Sequence, residues 1–82
     1  LNRIQTKKVT FKTNQKVNIE DDDLISLKII SRLEYEICVS YEKSNVNIEE
    51  LINLIKKNNT KITDISTDDG DLEDVFIHLI KN

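Results

Sequence analysis

The sequence predicts an α+β fold, a ferredoxin-like two-layer sandwich with an added C-terminal helix. Short runs in which apolar and polar residues alternate indicate half-buried strands, and two later runs with apolar residues at helical spacing indicate amphipathic helices. The predicted order is strand, short helix, strand, strand, helix, strand, helix. The 82 residues include one glycine and no proline, so we expect a single domain over residues 1–82 with no internal linker.

Alternation of apolar and polar residues predicts the first and third strands. Val9 and Phe11 alternate with lysine and threonine over residues 8–13, which is typical of a half-buried strand. The same period is clearest over residues 34–42, where the apolar positions are Tyr35, Ile37, Val39 and Tyr41. The intervening positions are Glu34, Glu36, Cys38, Ser40 and Glu42. We therefore expect a core face and an open acidic face, which is either wet or covered by a partner.

The segment between these two strands is less regular. Residues 20–23 are four consecutive carboxylates, and acidic residues favour the start of a helix, so a short helix is expected there. Residues 27–32 fit either a continuation of that helix or a strand with Leu27 and Ile29 on one face. The β-prone isoleucines and the strand that follows favour the second strand.

A helix is predicted over residues 48–58. Asn47 is placed as its N-cap, with Glu50 as the capping-box partner. Asn58 or Asn59 can take the left-handed conformation that ends a helix. The apolar stripe of this helix consists of Ile48, Leu51, Ile52 and Ile55.

A last strand and a last helix complete the prediction. In the strand over residues 61–67, Ile62 and Ile65 are three positions apart, so one of them leaves the core face unless a bulge intervenes. Asp71 is predicted to cap a helix, with Asp74 in the capping-box position. Its apolar stripe is Leu72, Val75, Phe76, Leu79 and Ile80. Each side chain contributes about 1.5–3 kcal/mol when fully buried, so this helix is expected to dock on another surface.

Composition excludes several function classes. With 12 basic and 15 acidic side chains, the net charge is −3, which argues against nucleic acid as a partner. No apolar run reaches the roughly 20 residues of a membrane-spanning helix, so no direct membrane insertion is expected. A reducing compartment or simple burial explains the single cysteine, and because the sequence contains no methionine we expect it to be a segment of a longer protein.

Motif spacing excludes the common nucleotide and metal sites. A P-loop or a dinucleotide fingerprint requires at least two glycines, and the chain has only Gly70. One cysteine and one histidine cannot form a tetrahedral zinc site. Aligning Gly70 with the glycine of an EF-hand loop puts Ile65 and Phe76 where carboxylates belong. The acidic residues around it are better explained as a turn before a helix.

We expect no catalytic residue, cofactor-binding residue or metal ligand in this segment. His78 has a serine partner only in principle, because no nucleophile elbow surrounds any serine, and it is expected to be solvated or at an interface. Glu34, Glu36 and Glu42 suit a solvent-facing strand better than a paired-acid hydrolase. Cys38 has no basic neighbour in sequence that would make its thiol reactive.

The C-terminal quarter resembles a known family. Ile62, Ile65 and the run Asp71-Leu72-Glu73-Asp74-Val75-Phe76-Ile77-His78-Leu79 resemble the closing motif of bacterial ABC-2-type export ATP-binding subunits. In that family an isoleucine-rich strand leads to a capped Leu-Glu-Asp/Glu-Val-Phe helix. Here Asp71 stands where the family commonly has serine, and Gly70 where it often has proline. The resemblance covers residues 61–80 and is looser back to Asn47.

The resemblance implies a non-catalytic accessory domain at the C-terminus of an ATP-binding subunit. ATP and Mg²⁺ would bind only in a preceding ATPase domain. The implied partners are that domain, a second ATP-binding subunit, a membrane permease and, for a homodimer, a second copy. The implied location is the cytoplasmic side of the cell membrane. The docking residues would be Asp71, Leu72, Glu73, Asp74, Val75, Phe76 and Leu79.

Two other interpretations stay open. A ferredoxin-like module can bind small regulatory ligands, although this chain has no glycine-rich effector loop. A free-standing adaptor or immunity-type protein is the third.

Overall fold

The described part of the chain contains four strands and one α-helix with defined ends, and further helical residues at Gly70, Asp74 and His78. The computed structural model describes residues 6–19, 27–42, 44, 48–68, 70, 74 and 78. In chain order the elements are β1 (Thr6–Thr13), β2 (Leu27–Leu33), β3 (Glu36–Glu42), α1 (Ile48–Ile55) and β4 (Ile62–Thr67). The α+β class is therefore confirmed. The short helix predicted over residues 20–23 and the N-cap predicted at Asn47 lie outside the described residues.

The strands form one sheet in the order β2-β3-β1-β4, and every neighbouring pair is antiparallel. The two central strands pair along most of their length, with Val9 opposite Val39 and Phe11 opposite Ile37. Because side chains alternate between the two faces of a strand, these four residues share one face. All four are fully buried.

The core is one cluster of buried apolar residues from this face of the sheet, from α1 and from the segment after β1. The helix contributes Leu51, Ile52 and Ile55, which recur at i, i+1 and i+4 and are all buried in the same cluster as the strand residues. The segment after β1 adds Val17 and Ile19, which the alternation pattern did not reveal. The other buried apolar residues are Val9, Phe11, Leu27, Ile37, Val39, Tyr41 and Ile65.

Each outer strand of the sheet contains a bulge. In β2, Ile29 lies opposite Val39 and Ser31 lies opposite Cys38, so Ile30 is an extra residue. In β4, Asp64 pairs with Lys12 and Ile62 pairs with Thr13, so residue 63 is the extra one. The second bulge turns Ile62 back to the core side, where it packs beside buried Ile65. This is the arrangement that the three-residue spacing required.

Helix α1 is shorter than predicted: it ends at Ile55 and not at residue 58. The Lys56 N–H still donates to the Ile52 carbonyl at 2.9 Å, and a tight turn over Lys57–Asn59 follows. Asn58 and Asn59 have φ values of 59° and 62°. The predicted left-handed conformation of these asparagines is confirmed, but they lie in the turn that follows the helix and not at its last residue.

The predicted place of Tyr35 on the core face was wrong. Leu33 pairs with Glu36, so Glu34 and Tyr35 are the two residues of the turn that joins β2 to β3. The Tyr35 side chain is 57% exposed there, whereas Tyr41 is buried as expected. An antiparallel hairpin needs residues for its turn, and the alternating pattern runs through them without a break.

Candidate functional site

The face of the sheet opposite the core is polar. At its centre Cys38 on β3 lies opposite Thr10 on β1, and Ser40 lies opposite Lys8. Cys38 is half-buried and Ser40 is nearly buried, because β3 has a strand on each side. We call this surface the open face. It consists of Thr6, Lys8, Thr10, Lys12, Lys28, Ser31, Leu33, Glu36, Cys38, Ser40, Glu42, Asp64 and Ser66.

The expectation of an acidic open face was wrong. Lys12 lies between Glu36 and Asp64 in the register of the sheet, and Ser40 lies between Lys8 and Lys28. The face therefore carries three lysines and three carboxylates. The carboxylates of β3 are visible as a stripe in the sequence, but the lysines that balance them come from strands distant along the chain. Each cross-strand pair of opposite charge contributes about 0.2–1 kcal/mol.

The spacing of Glu36 and Glu42 on β3 does not suit paired-acid hydrolysis. Glu36 and Glu42 are the two ends of the strand, so about 20 Å separates their backbones at roughly 3.3 Å per residue. Glycosidase carboxylates lie about 5–9.5 Å apart. Glu34 is in the turn and not on the strand. Glu34 is exposed, and Glu36 and Glu42 are half-buried. Among the described residues no group of three His, Cys, Asp or Glu side chains is arranged to hold a metal ion.

A cleft lies at the end of the sheet where β1 ends and the β2–β3 turn begins. It has a volume of about 430 Å³ and is open to solvent. We call it the hairpin cleft. Its lining residues are Asn14, Gln15, Lys16, Arg32, Leu33, Glu34 and Tyr35. Sequence reasoning missed it, because its two walls are distant in sequence and meet only through the pairing of β1 with β3.

The cleft has one wall formed by residues 14–16 and another formed by residues 32–35. Hydrogen bonds fix the first of these walls to the start of β4 and to the turn before it. The Asn14 N–H donates to the Lys61 carbonyl at 3.0 Å, and the Lys61 N–H donates to Asn14 Oδ1 at 2.7 Å. The Gln15 side-chain amide donates to the Asn58 carbonyl at 2.7 Å and to Thr60 Oγ1 at 2.9 Å. The left-handed turn after α1 therefore supplies acceptors that hold this wall in place.

Further hydrogen bonds tie the second wall, residues 32–35, to the end of β1 and to the segment after it. The Thr13 N–H donates to the Tyr35 carbonyl at 3.0 Å, which ties the end of β1 to the hairpin turn. The Arg32 guanidinium donates to the carbonyls of Val17 and Ile19. Both walls are thus positioned by the fold itself, before anything binds.

The C-terminal motif is described at three positions only. Gly70, Asp74 and His78 are helical and exposed. The exposure of Asp74 and His78 is as expected for residues away from the apolar stripe, whereas the prediction that Gly70 lies in a turn before the helix was wrong. The other predicted docking residues lie outside the described residues. These are Asp71, Leu72, Glu73, Val75, Phe76 and Leu79.

The described surface offers two candidate contact regions, the open face and the hairpin cleft. The part of the chain that the structure describes holds no helix with the length and apolar character needed to cross a bilayer. Comparison with known proteins finds no matching family model, no matching curated protein and no matching solved structure.

Proposed function

We propose that the chain is a non-catalytic interaction domain, the C-terminal accessory domain of a bacterial ABC-2-type exporter ATP-binding subunit. The observation that carries this proposal is the strand–helix motif at its end. In β4, Ile65 is buried in the core, and helical residues follow at Gly70, Asp74 and His78. The exporter motif has the same order, an isoleucine-rich strand and then its closing helix.

A ferredoxin-like arrangement is part of the proposal. The strand order β2-β3-β1-β4 with antiparallel neighbours supports it, as does the passage of the chain from β3 through α1 to β4 on the far side of β1. The burial of Leu51 and Ile55 in the same cluster as the sheet residues supports two layers, one of helix and one of sheet.

In this role the domain would contribute contacts rather than chemistry. The ATPase domain of the same subunit would bind ATP and Mg²⁺, and this domain would pack against it, a second subunit or the permease on the cytoplasmic side of the membrane. Single Cys38 lies in the middle of the open face and is half-buried, so it can report whether that face becomes covered.

The coding sequence upstream of the codon for Leu1 tests the assignment directly. We expect an in-frame P-loop, an ABC signature and a Walker B acid. A start codon next to Leu1 would refute the exporter assignment.

Truncation of the parent subunit tests the role. Removal of residues 1–82 is expected to impair assembly or transport, measured by co-purification of the permease and by export from vesicles. Phe76→Ser is the sharper variant, because it removes one predicted apolar docking side chain, and Asn53→Ser at an exposed position outside the C-terminal motif is its control. Normal assembly and transport by the truncated subunit would contradict the proposal.

One observation favours the alternative, a small-ligand regulatory module: the hairpin cleft has mixed polar and apolar walls. A thermal-shift screen with metabolites and drug-like cations tests it. A flat response would count against this alternative and leave the interaction role in place.

A further inference from the structure

The hairpin cleft is bordered by exposed apolar side chains. Among the described residues the large hydrophobic side chains that are mostly exposed are Ile30 at 51%, Leu33 at 58% and Tyr35 at 57%. All three fall within β2 and the turn after it, and Leu33 and Tyr35 line the cleft. A local concentration of exposed apolar and aromatic surface is typical of a protein-binding site.

The charge of the cleft has the opposite sign to that of the chain. Its charged lining residues are Lys16, Arg32 and Glu34, which sum to +1, whereas the whole chain carries −3. Tyrosine and arginine are also the residues that most often dominate binding energy at interfaces. The positive sum over these three side chains favours carboxylates at the cleft, although the chain as a whole is acidic.

The shape of the cleft decides between a small molecule and a peptide. Small-molecule sites enclose about 70–90% of their ligand, and this cleft is open on one side. An extended segment can place one apolar side chain in such a cleft while its neighbouring residues lie along the rim. Hydrogen bonds of Asn14, Gln15 and Arg32 already hold both walls of the cleft in place, so binding requires little ordering of the protein.

We propose that the hairpin cleft is the docking site for an acidic peptide segment of a protein partner. The carboxylates of the segment would lie beside Lys16 and Arg32, and a large apolar side chain would lie against Leu33 and Tyr35. This inference deepens the proposed interaction role and rests on it in one respect, that the partner is a protein. It does not depend on the identity of the parent subunit.

Fluorescence anisotropy on the 82-residue chain tests the proposal with three labelled peptides. The probe is fluorescein-labelled Glu-Glu-Phe-Glu-Glu, and the controls are Lys-Lys-Phe-Lys-Lys and Glu-Glu-Ser-Glu-Glu. We expect the first to bind more tightly than either control, with affinity that falls as salt is raised. These comparisons use the unaltered chain, so they hold even if a variant fails to fold.

Variants of the chain locate the site. Lys16→Glu is expected to weaken binding of the acidic probe about tenfold, since it replaces an attraction by a repulsion. Tyr35→Ser is expected to weaken it about fivefold through lost apolar contact. Lys8→Glu makes the same charge change at an exposed site on β1 in the open face, and we expect less than a twofold effect. Circular dichroism checks that each variant is folded.

Several results would overturn the proposal. Equal binding of the acidic and basic peptides would remove the charge argument, and unchanged affinity in folded Lys16→Glu would place binding elsewhere. Phenylacetate that competes as strongly as the peptide would make this a small-molecule site. Self-association of the chain that Lys16→Glu abolishes would make a second copy the occupant. None of these results bears on the exporter assignment, which the upstream sequence tests separately.

Discussion

Asn58 and Asn59, in the turn after helix α1, have a backbone conformation that most residues avoid. The left-handed region costs an ordinary L-residue about 1–2 kcal/mol, and asparagine and glycine tolerate it best. The turn also matters beyond the helix, because the Asn58 carbonyl accepts a hydrogen bond from the Gln15 side chain. Two asparagine residues therefore help to shape one wall of the hairpin cleft.

Asn58→Ala is expected to lower the free energy of unfolding by about 1 kcal/mol, because alanine fits the left-handed conformation less well than asparagine. Asn58→Gly should leave it nearly unchanged. Both variants keep the carbonyl that accepts the Gln15 hydrogen bond. The difference between them therefore measures the free-energy cost of the left-handed backbone conformation at this position. Urea unfolding followed by circular dichroism measures both. Equal loss in the two variants would show that the asparagine side chain, not its conformation, matters.

Gln15→Ala is expected to cost about 1–2 kcal/mol of stability, since it removes two hydrogen bonds, to Asn58 and to Thr60. Thr60 is buried, so its hydroxyl cannot turn fully to water instead. Lys16→Ala, one position along at an exposed site, should change stability by no more than about 0.5 kcal/mol. The same urea titration compares the two variants. If Gln15→Ala lowered stability no more than Lys16→Ala, the hydrogen bonds from Gln15 to Asn58 and Thr60 would not contribute to stability as we expect.

At the scale of elements, α1 is held by its apolar side rather than by its own propensity. An eight-residue helix is too short to be stable alone in water. Its Leu51 is fully buried, and its Asn53 is exposed. The free energy that forms the helix therefore comes mostly from burial of its apolar side in the core.

Leu51→Ala should accordingly cost about 2–5 kcal/mol, because it leaves a cavity in the core. Asn53→Ala should be neutral or slightly stabilising, since alanine is the better helix former. Thermal unfolding of the two variants measures the difference. Similar melting temperatures would mean that α1 does not pack as described.

At the scale of the whole molecule, β1 and β3 should be the most protected part of the chain. They lie in the middle of the sheet, and their facing residues Val9, Phe11, Ile37 and Val39 are all fully buried. Each has a neighbouring strand on both sides, so its amides open only when the sheet comes apart.

Native-state hydrogen exchange by NMR tests this order. We expect the slowest amides in β1 and β3, and exchange at least about tenfold faster for the outward-facing amides of β2 and β4. Uniform protection across the four strands would argue for an additional neighbour on the outer strands.

The spacing of apolar residues along the chain predicted those features that depend on neighbouring residues. The alternation of β3 gave its buried face at Ile37, Val39 and Tyr41, and the spacing of Ile62 and Ile65 required a bulge that the structure contains. Pairing between distant strands was beyond such patterns. The lysines that balance Glu36 and Asp64, and the contact of residues 14–16 with the β2–β3 turn, both depend on which strands are neighbours. The acidic face was therefore predicted wrongly, and the cleft was not predicted.

The two bulges have a consequence for how the molecule behaves at high concentration. An outer strand that is straight offers a template on which another chain can add its own strand, and repeated addition leads to fibrils. Ile30 interrupts β2 between Lys28 and Arg32, and an extra residue likewise interrupts β4. The bulges bend both outer strands, and Lys28 and Arg32 place two like charges on β2. Both features hinder the addition of further strands, so we expect the chain not to form fibrils when it is concentrated.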